Sequence, residues 1–516
     1  MEQPAKKNEG LNASRAVFLL CVAAELLSFL TFYRPWLAAP FLYALGLGAI
    51  ALAFTDLRKL FSVVVVEAII GSHGRLFSAE VAGFSVSVRM VLFAVLVIGW
   101  ALHTVHGRSR ILHFRHVGIG APLTLLLSAL ALAAARGLER GVGAAFSDAN
   151  GYAFLLMLPI GLDLFAGREP FAKLLGVMAG AAAWLAAKSL ILLYLFSHDF
   201  GPFLKDLFRW QRTYGLSEMT RLAGGAVRVF AASDLFLIPA VALGILLSWK
   251  FRRRWTFAWT ILVTAAFLLS LSRSFWLGIA FSAAIMLPAL VKHETRPLRE
   301  IGRLSGSAFV ALAIGTALLA GLLFLPSPKR LQDAGAWGAY GGRFLNASDA
   351  AVSSRWNMIA PLRQAISVSP VFGSGFGSVI SYQSDDPRMH DLYPGGRVTT
   401  GAIEWQYLEI WLKTGLFGLF AVLWLWWRIA IFLWKSIGGA SRETGRLMAS
   451  GAMLSFLAFV IANVFTPYIN HPLGWMYLAL VVVGAHAYGG HEAPEREFPA
   501  SPIPRWRSQD SRSGNS

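Results

Sequence analysis

The sequence is short of cysteine and of charge. Cys21 is the single cysteine among 516 residues, which excludes an intramolecular disulfide framework and a cysteine-built zinc cage. Asp, Glu, Lys and Arg together make up 14% of the chain, where a soluble domain carries about a quarter, and this argues against an ordinary cytosolic enzyme. Acidic residues are the scarcer sign, 28 against 46 Lys and Arg, so a chain that is 56% hydrophobic bears a formal net charge of +18. Such an excess fits nucleic acid, anionic lipid or cytoplasmic loops that obey the positive-inside rule, and only the placement of the charges separates these.

What the sequence has is apolar length. A spanning helix needs about 20 mostly apolar residues, because the hydrocarbon core is about 30 Å thick and a helix rises 1.5 Å per residue. Windows of this kind lie near 16–33, 36–55, 57–72, 86–105, 118–136, 152–166, 174–196, 231–249, 256–272, 274–291, 305–326, 415–434, 447–466 and 472–488. They predict an all-α, polytopic helical membrane protein with about 14 transmembrane helices, or 12–14 because the windows at 57–72 and 152–166 are short. The first window is too long for a cleavable signal and runs into Tyr33-Arg34-Pro35-Trp36, not a small-residue cleavage site.

Orientation follows from the short loops. With the tail 1–15 (Lys6, Lys7, Arg15) in the cytoplasm, the basic stretches Arg58-Lys59, Arg108 to His116, Lys250 to Arg254, Lys292 to Arg303 and Lys435 to Arg446 all fall on the inner side. Both termini are then cytoplasmic, residues 16–488 form the transmembrane domain, and the Pro-, Ser- and Arg-rich tail 489–516 reads as disordered. Topology accounts for these basic residues, so no nucleic-acid partner is expected. Trp424, Trp426, Trp427 and Trp434 read as an interfacial belt. Glu25, Glu67, Asp163 and Lys188 lie inside apolar windows, where an unpaired charge is costly. A helix-to-helix pair such as Lys188 with Asp163 is the expected resolution.

Two outer segments are long, about 197–230 and 327–403, and both are basic where the positive-inside rule predicts few cations. The first carries Lys205, Arg209, Arg212, Arg221 and Arg228; the second carries Lys329, Arg330, Arg343, Arg355, Arg363, Arg388 and Arg397. An anionic ligand is the direct explanation, since the guanidinium fork matches phosphate oxygens; pairing with loop carboxylates or with outer-leaflet lipid is the other. Ser272-Arg273-Ser274 sits at the outer tip of a tight hairpin, where Arg273 either snorkels to the interface or enters a polar cavity. Ala350 to Ser367 reads as helical, with Arg355 and Trp356 near its start. Phe372-Gly373-Ser374-Gly375-Phe376-Gly377 follows; no strand precedes it, so a dinucleotide site is rejected in favour of a turn that lets backbone approach a ligand or another helix.

Four segments resemble the bacterial O-antigen polymerases and O-antigen ligases, integral membrane glycosyltransferases that use undecaprenyl-pyrophosphate-linked glycans. They are Leu271-Ser272-Arg273-Ser274-Phe275-Trp276-Leu277-Gly278; Ser354-Arg355-Trp356 leading to Pro370-Val371-Phe372-Gly373-Ser374-Gly375; Tyr407-Leu408 before Gly415-Leu416-Phe417-Gly418; and Thr466-Pro467-Tyr468-Ile469-Asn470-His471-Pro472. The resemblance spans roughly residues 220–475. It implies a GT-C-like fold in the bacterial inner membrane, with the active site on the periplasmic face.

By resemblance, Arg273 and Arg355 bind the lipid pyrophosphate, helped by Arg228 or Arg221. The family commonly carries a His-Asn pair where this sequence has Glu404-Trp405. Glu404 is therefore the first candidate for the general base and His390 the second; the alternative for Glu404 is an interfacial carboxylate at the helix start. Trp356, Gln406, Tyr407 and His471 are candidate substrate or support residues, although the His471 hairpin can also be read as structural. No metal or other cofactor is expected. The implied partners are the lipid-linked donor, a second lipid-linked glycan or lipid A-core as acceptor, the bilayer, a flippase and a chain-length regulator. Loss of the family histidine and the long basic loop lean towards a polymerase over a ligase. A transporter of an anionic solute or lipid-linked glycan is the reading from another class.

Overall fold

Apolar runs closed by local caps become the helices. The computed structural model describes residues 4–81, 84–107, 117–222, 225–292, 294–326, 328–331, 336–345, 350–385 and 393–489. The chain is an all-α polytopic membrane protein: among the described residues ten helices are long and apolar enough to cross a bilayer, and two shorter apolar ones, Arg254–Leu269 and Pro472–Tyr488, accompany them. The helices used below are α1 (Pro4–Tyr33), α2 (Ala38–Thr55), α3 (Leu57–Gly71), α4 (Val88–Val105), α5 (Gly120–Leu138), α6 (Val142–Ala149), α7 (Met157–Leu164), α8 (Arg168–Ser197), α9 (Phe203–Thr213), α10 (Leu237–Phe251), α11 (Arg254–Leu269), α12 (Arg273–Val291) and α13 (Pro297–Phe324). They continue with α14 (Ala336–Leu345), α15 (Ala350–Asn357), α16 (Ile359–Val368), α17 (Gln406–Gly439), α18 (Glu443–Ala462) and α19 (Pro472–Tyr488). Asp56 caps α3 by accepting from the Arg58 and Lys59 amides at 3.1 and 3.2 Å, and Ser87 caps α4 through the Met90 amide.

The window at 152–166 does not form one helix. It divides into a 3-10 stretch, Asn150–Leu156, and the short α7, because Pro159 has no amide with which to continue a helix from the preceding turn. Helix α12 packs along α18, α1 along α8, α10 against α11, and α5 against α17. One continuous apolar core fills the bundle.

The long segments are folded. The first holds α9 and the hairpin β3 (Glu218–Arg221) with β4 (Val227–Phe230), where Thr220 faces Arg228 and Arg221 faces Val227. The second holds α14 to α16 and the hairpin β5 (Ile380–Gln383) with β6 (Arg397–Thr400), over a small core of its own that includes Met358, Leu362, Tyr382, Val398 and Ile403. A shorter hairpin, β1 (Ser78–Val81) with β2 (Phe84–Ser87), precedes α4. The two long segments are joined: Asp199 N donates to Lys329 O at 2.8 Å, Leu331 N to Ser197 O at 3.0 Å, and the Tyr340 hydroxyl to Val227 O at 2.7 Å.

Two expectations are corrected. Lys188 pairs with Glu25 at 2.7 Å, not with Asp163; the two stand opposite each other on α8 and α1, while Asp163 accepts the indole N–H of Trp100 at 3.0 Å. Trp426 is buried against Phe456, Phe459 and Trp475, so it belongs to the core, whereas Trp427 and Trp434 are exposed as a belt requires. Glu67, the remaining intramembrane acid, takes two bonds from Arg89, at 2.7 and 3.2 Å.

Removing one member of such a pair strands the other charge in an apolar interior. Lys188→Met is expected to destabilise the protein by about 3–5 kcal/mol, and Lys188→Met with Glu25→Met to recover most of that loss. Thermal unfolding of the detergent-solubilised variants measures both; equal stability of the single and double variants contradicts the pairing.

Candidate functional site

The first motif forms a strained corner. Between α11 and α12 the chain turns through Ser270, Leu271 and Ser272, and Leu271 takes φ 48° while buried. A non-glycine residue in the left-handed region costs on the order of 1–3 kcal/mol and marks a turn that its surroundings impose. Arg273 is the first residue of α12. The positive end of the helix dipole lies there, so a guanidinium is disfavoured at this place unless an anion joins it. Arg228 reaches the same corner from β4: its Nε donates to Ser270 O at 2.7 Å and its Cζ stands 4.7 Å from the Phe230 ring centroid.

The hydroxyls of Ser272 and Ser274 lie 3.2 Å apart, and Ser274 reaches the Thr466 hydroxyl at 2.8 Å. The first and fourth motifs are therefore in contact. Phe465, next in the chain, has its ring 5.5 Å from Trp405, whose ring is 5.2 Å from Trp356. This aromatic row leads to the second motif. There Arg355 Nε donates to Glu404 Oε2, with the two side chains 39% and 42% exposed, and the Trp405 indole donates to Arg355 O at 2.8 Å. Glu404 does not cap α17; its carboxylate is the partner of Arg355. His390 lies outside the described residues.

Arg221 parts company with the other arginines. Side chains alternate along a strand, and Arg221 is registered opposite Val227, not Arg228. It lines a separate cavity of about 260 Å³ together with Lys205.

The glycine turn meets the chain itself. Helix α17 breaks at Gly415, where φ is 73°, and Gly373 stands against it with φ 71°. A Cβ on either would collide with the backbone of the other segment. The freed carbonyls of the first half of α17 are taken up by the turn: Ser374 N donates to Leu412 O at 2.6 Å and Gly375 N to Lys413 O at 3.0 Å. From α5, Arg136 donates to Gly373 O and Ser369 Oγ, and Arg140, just past its end, to Ser374 O.

Beneath these motifs lies a buried charge network. Lys413 Nζ donates to Glu409 Oε1 at 2.5 Å, Asp148 Oδ1 at 2.9 Å and Gly401 O at 3.0 Å. Glu409 accepts from Asn470 Nδ2 at 3.0 Å and from Gln406 Nε2 at 3.3 Å, while Gln406 Oε1 accepts from Ile469 N at 3.1 Å. Gln406 is thus buried support for the Thr466–His471 hairpin. Tyr407 is too, donating its hydroxyl to Val460 O at 2.9 Å.

His471 caps α19, its Nδ1 accepting the Leu473 amide at 3.2 Å, and its ring meets His73 edge-on at 5.6 Å. Sequence reasoning missed Glu409, Lys413, Asp148, Arg136, Arg140 and His73. The i,i+4 spacing of Glu409 and Lys413 was a visible signal; Asp148, 265 residues from Lys413, gave none.

Burial, then the Arg89 guanidinium and His73, push the His471 imidazole down to about 3 from 6.5. The unfolded chain binds a proton in that interval and the folded chain does not, so this stability is complete above pH 6.5 and is lost as the pH falls towards 3. His471→Asn keeps a capping acceptor and is expected to flatten the decline in Tm between pH 6.5 and about 4. An unchanged slope contradicts the assignment.

No curated protein matches the chain. Residues 258–423 match the family model described as O-antigen ligase. The matched segment includes Arg273, Arg355, the glycine turn, Glu404 and Gly415; Arg228 and the Thr466–His471 hairpin fall outside it and reach the site by folding. Over that segment, which lies within a helical membrane architecture, the chain is similar to the O-antigen ligase family.

Proposed function

We propose that this protein is a membrane glycosyltransferase that polymerises undecaprenyl-pyrophosphate-linked repeat units on the periplasmic face of a bacterial inner membrane. The observation that carries the reading is that Arg228 bonds to the Ser270 carbonyl at the corner from which α12 starts with Arg273, inside the segment that matches the O-antigen ligase family. Two guanidinium groups and the amides that open α12 make an anion seat of the charge a departing pyrophosphate needs. Arg355 joins when the donor arrives, because its partner Glu404 is half-exposed and a pyrophosphate oxygen can replace it.

The released Glu404 carboxylate is then the base. An acceptor hydroxyl attacks the anomeric carbon, its proton passes to Glu404, and the bond from that carbon to the pyrophosphate oxygen breaks with the electron pair leaving on the pyrophosphate. One displacement inverts the anomeric centre. The arginines supply the charge compensation, so the proposed reaction needs no metal. Trp356 and Trp405 offer ring faces to the glycan beside this carboxylate.

A ligase that transfers the same glycan to lipid A-core is the second reading, favoured by the description of the matching family. A transporter is not favoured: Glu25, Glu67 and Lys188 are satisfied in pairs and Asp163 by an indole, so they do not converge on a midplane site.

Purified protein given a lipid-linked repeat unit alone is expected to form a ladder of chain lengths. Product only after lipid A-core is added would mean ligase. Arg273→Ala and Arg355→Ala are expected to lower kcat by about 10²–10³-fold. A correctly inserted Arg355→Ala protein with full activity would remove the pyrophosphate role.

A further inference from the structure

We infer that the cavity holding Lys205 and Arg221 is the seat of the acceptor lipid's phosphate, separate from the donor seat at Arg228 and Arg273. The inference rests on the polymerase reading, in which two lipid-linked glycans must be present together and the acceptor keeps its own pyrophosphate.

The β3–β4 hairpin presents its two faces to different places. Arg228, registered with Thr220, turns to the Ser270 carbonyl; Val227, one residue away and registered with Arg221, turns to the cavity. The cavity holds about 260 Å³, with Phe196, Phe208, Met219 and Val227 among its walls and Lys205 and Arg221 as its two cations. Lys205 and Arg221 are exposed, while Phe196, Met219 and Val227 are buried. An apolar floor with cations at the rim suits an amphiphile whose phosphate sits at the edge of its own hydrocarbon, and suits a free sugar or inorganic ion poorly.

Its depth agrees. The cavity lies where α8 ends at Ser197, and the amphipathic α9 lies beside the end of α1: Phe203 meets Phe29 at 6.0 Å and Asp206 accepts the Tyr33 hydroxyl at 3.0 Å. Two spans finish here, which puts the rim at the level of lipid headgroups. A polyprenyl chain can therefore enter from the bilayer while its phosphate meets Lys205 and Arg221. The hairpin separates the two lipids by its own thickness and lets their glycans meet beyond it.

The test uses the full chain in phosphatidylcholine nanodiscs. Titration with a fluorescent polyprenyl pyrophosphate is expected to show two classes of site in the wild type. Lys205→Ala with Arg221→Ala removes one class, and Arg228→Ala with Arg273→Ala removes the other. In kinetics, a lipid-linked unit with a methylene in place of its anomeric oxygen can accept but cannot donate. The Lys205→Ala, Arg221→Ala variant is expected to raise the KM for this acceptor by about tenfold and to leave the donor KM within about twofold.

Equal effects on both KM values would return Arg221 to the donor seat and overturn the inference. An unchanged KM for both, or displacement of the probe from this class by phosphatidylglycerol added to the disc, would overturn it as well. If the wild type cannot extend the methylene acceptor, the polymerase reading fails and the acceptor role fails with it. The titration still decides whether the cavity binds a polyprenyl pyrophosphate.

Discussion

The ammonium of Lys413 holds the site together. It is buried, and its three hydrogens go to Glu409, Asp148 and the Gly401 carbonyl, so it joins α17, α6 and the end of the second long loop at one atom. Through Glu409 the same network reaches Asn470 and the late hairpin; through the other oxygen of Asp148 it reaches the Gly377 amide of the glycine turn at 2.7 Å. A buried cation this fully satisfied tolerates few alternative arrangements, because any displacement leaves a charge unpaired in an apolar surrounding. The break of α17 at Gly415 is fixed next to it, since the carbonyl of Lys413 itself receives the Gly375 amide. The catalytic candidates hang from a rigid junction, although Arg228 and Arg355 belong to the long segments between the spans.

Much of this was legible in the sequence. Apolar windows bring their own backbone satisfaction and announce their length, which is why twelve of the fourteen appear as the ten spanning helices and the two shorter apolar ones. The window at 57–72 forms the shorter α3, and the one that failed as a helix, 152–166, contains Pro159, a local signal that hydropathy does not weigh. Arg273 and Arg355 stand out as cations that topology does not require on the outer side, and Glu404 as the carboxylate where the resembled family carries a histidine; the pairing of Arg355 with Glu404 is not written in either signal. The order of the motifs added the resemblance to a family whose model matches residues 258–423.

What could not be read was pairing across distance. Apolar windows alone make Asp163 as good a partner for Lys188 as Glu25, yet helix adjacency sets the pair, and α8 lies along α1. Trp426 looked like its neighbours in a belt, although one residue on a helix rotates a side chain by about 100°, enough to turn it from lipid to core. Arg221 and Arg228 were interchangeable until the register of one short hairpin assigned them opposite faces. Each of these depends on a geometric relation that composition cannot carry.

The arginines sort themselves by the kind of partner each has. Arg89 is buried with Glu67 and the Ser72 carbonyl, and nothing from outside can replace those partners without unfolding the contact. Arg136 is spent on backbone oxygen and a serine hydroxyl inside the glycine turn. Arg355 differs, since it shares with Glu404 a contact that is open to water on both sides. An exposed ion pair contributes about 0–1 kcal/mol, so a doubly charged phosphate that brings more oxygens can displace it at little cost. Such a pair keeps the cation oriented and the carboxylate occupied while the site is empty. In the proposed transfer, the arriving anion releases the carboxylate as it takes the arginine. In this arrangement the two groups needed for the proposed transfer become available together, and only when the donor is bound.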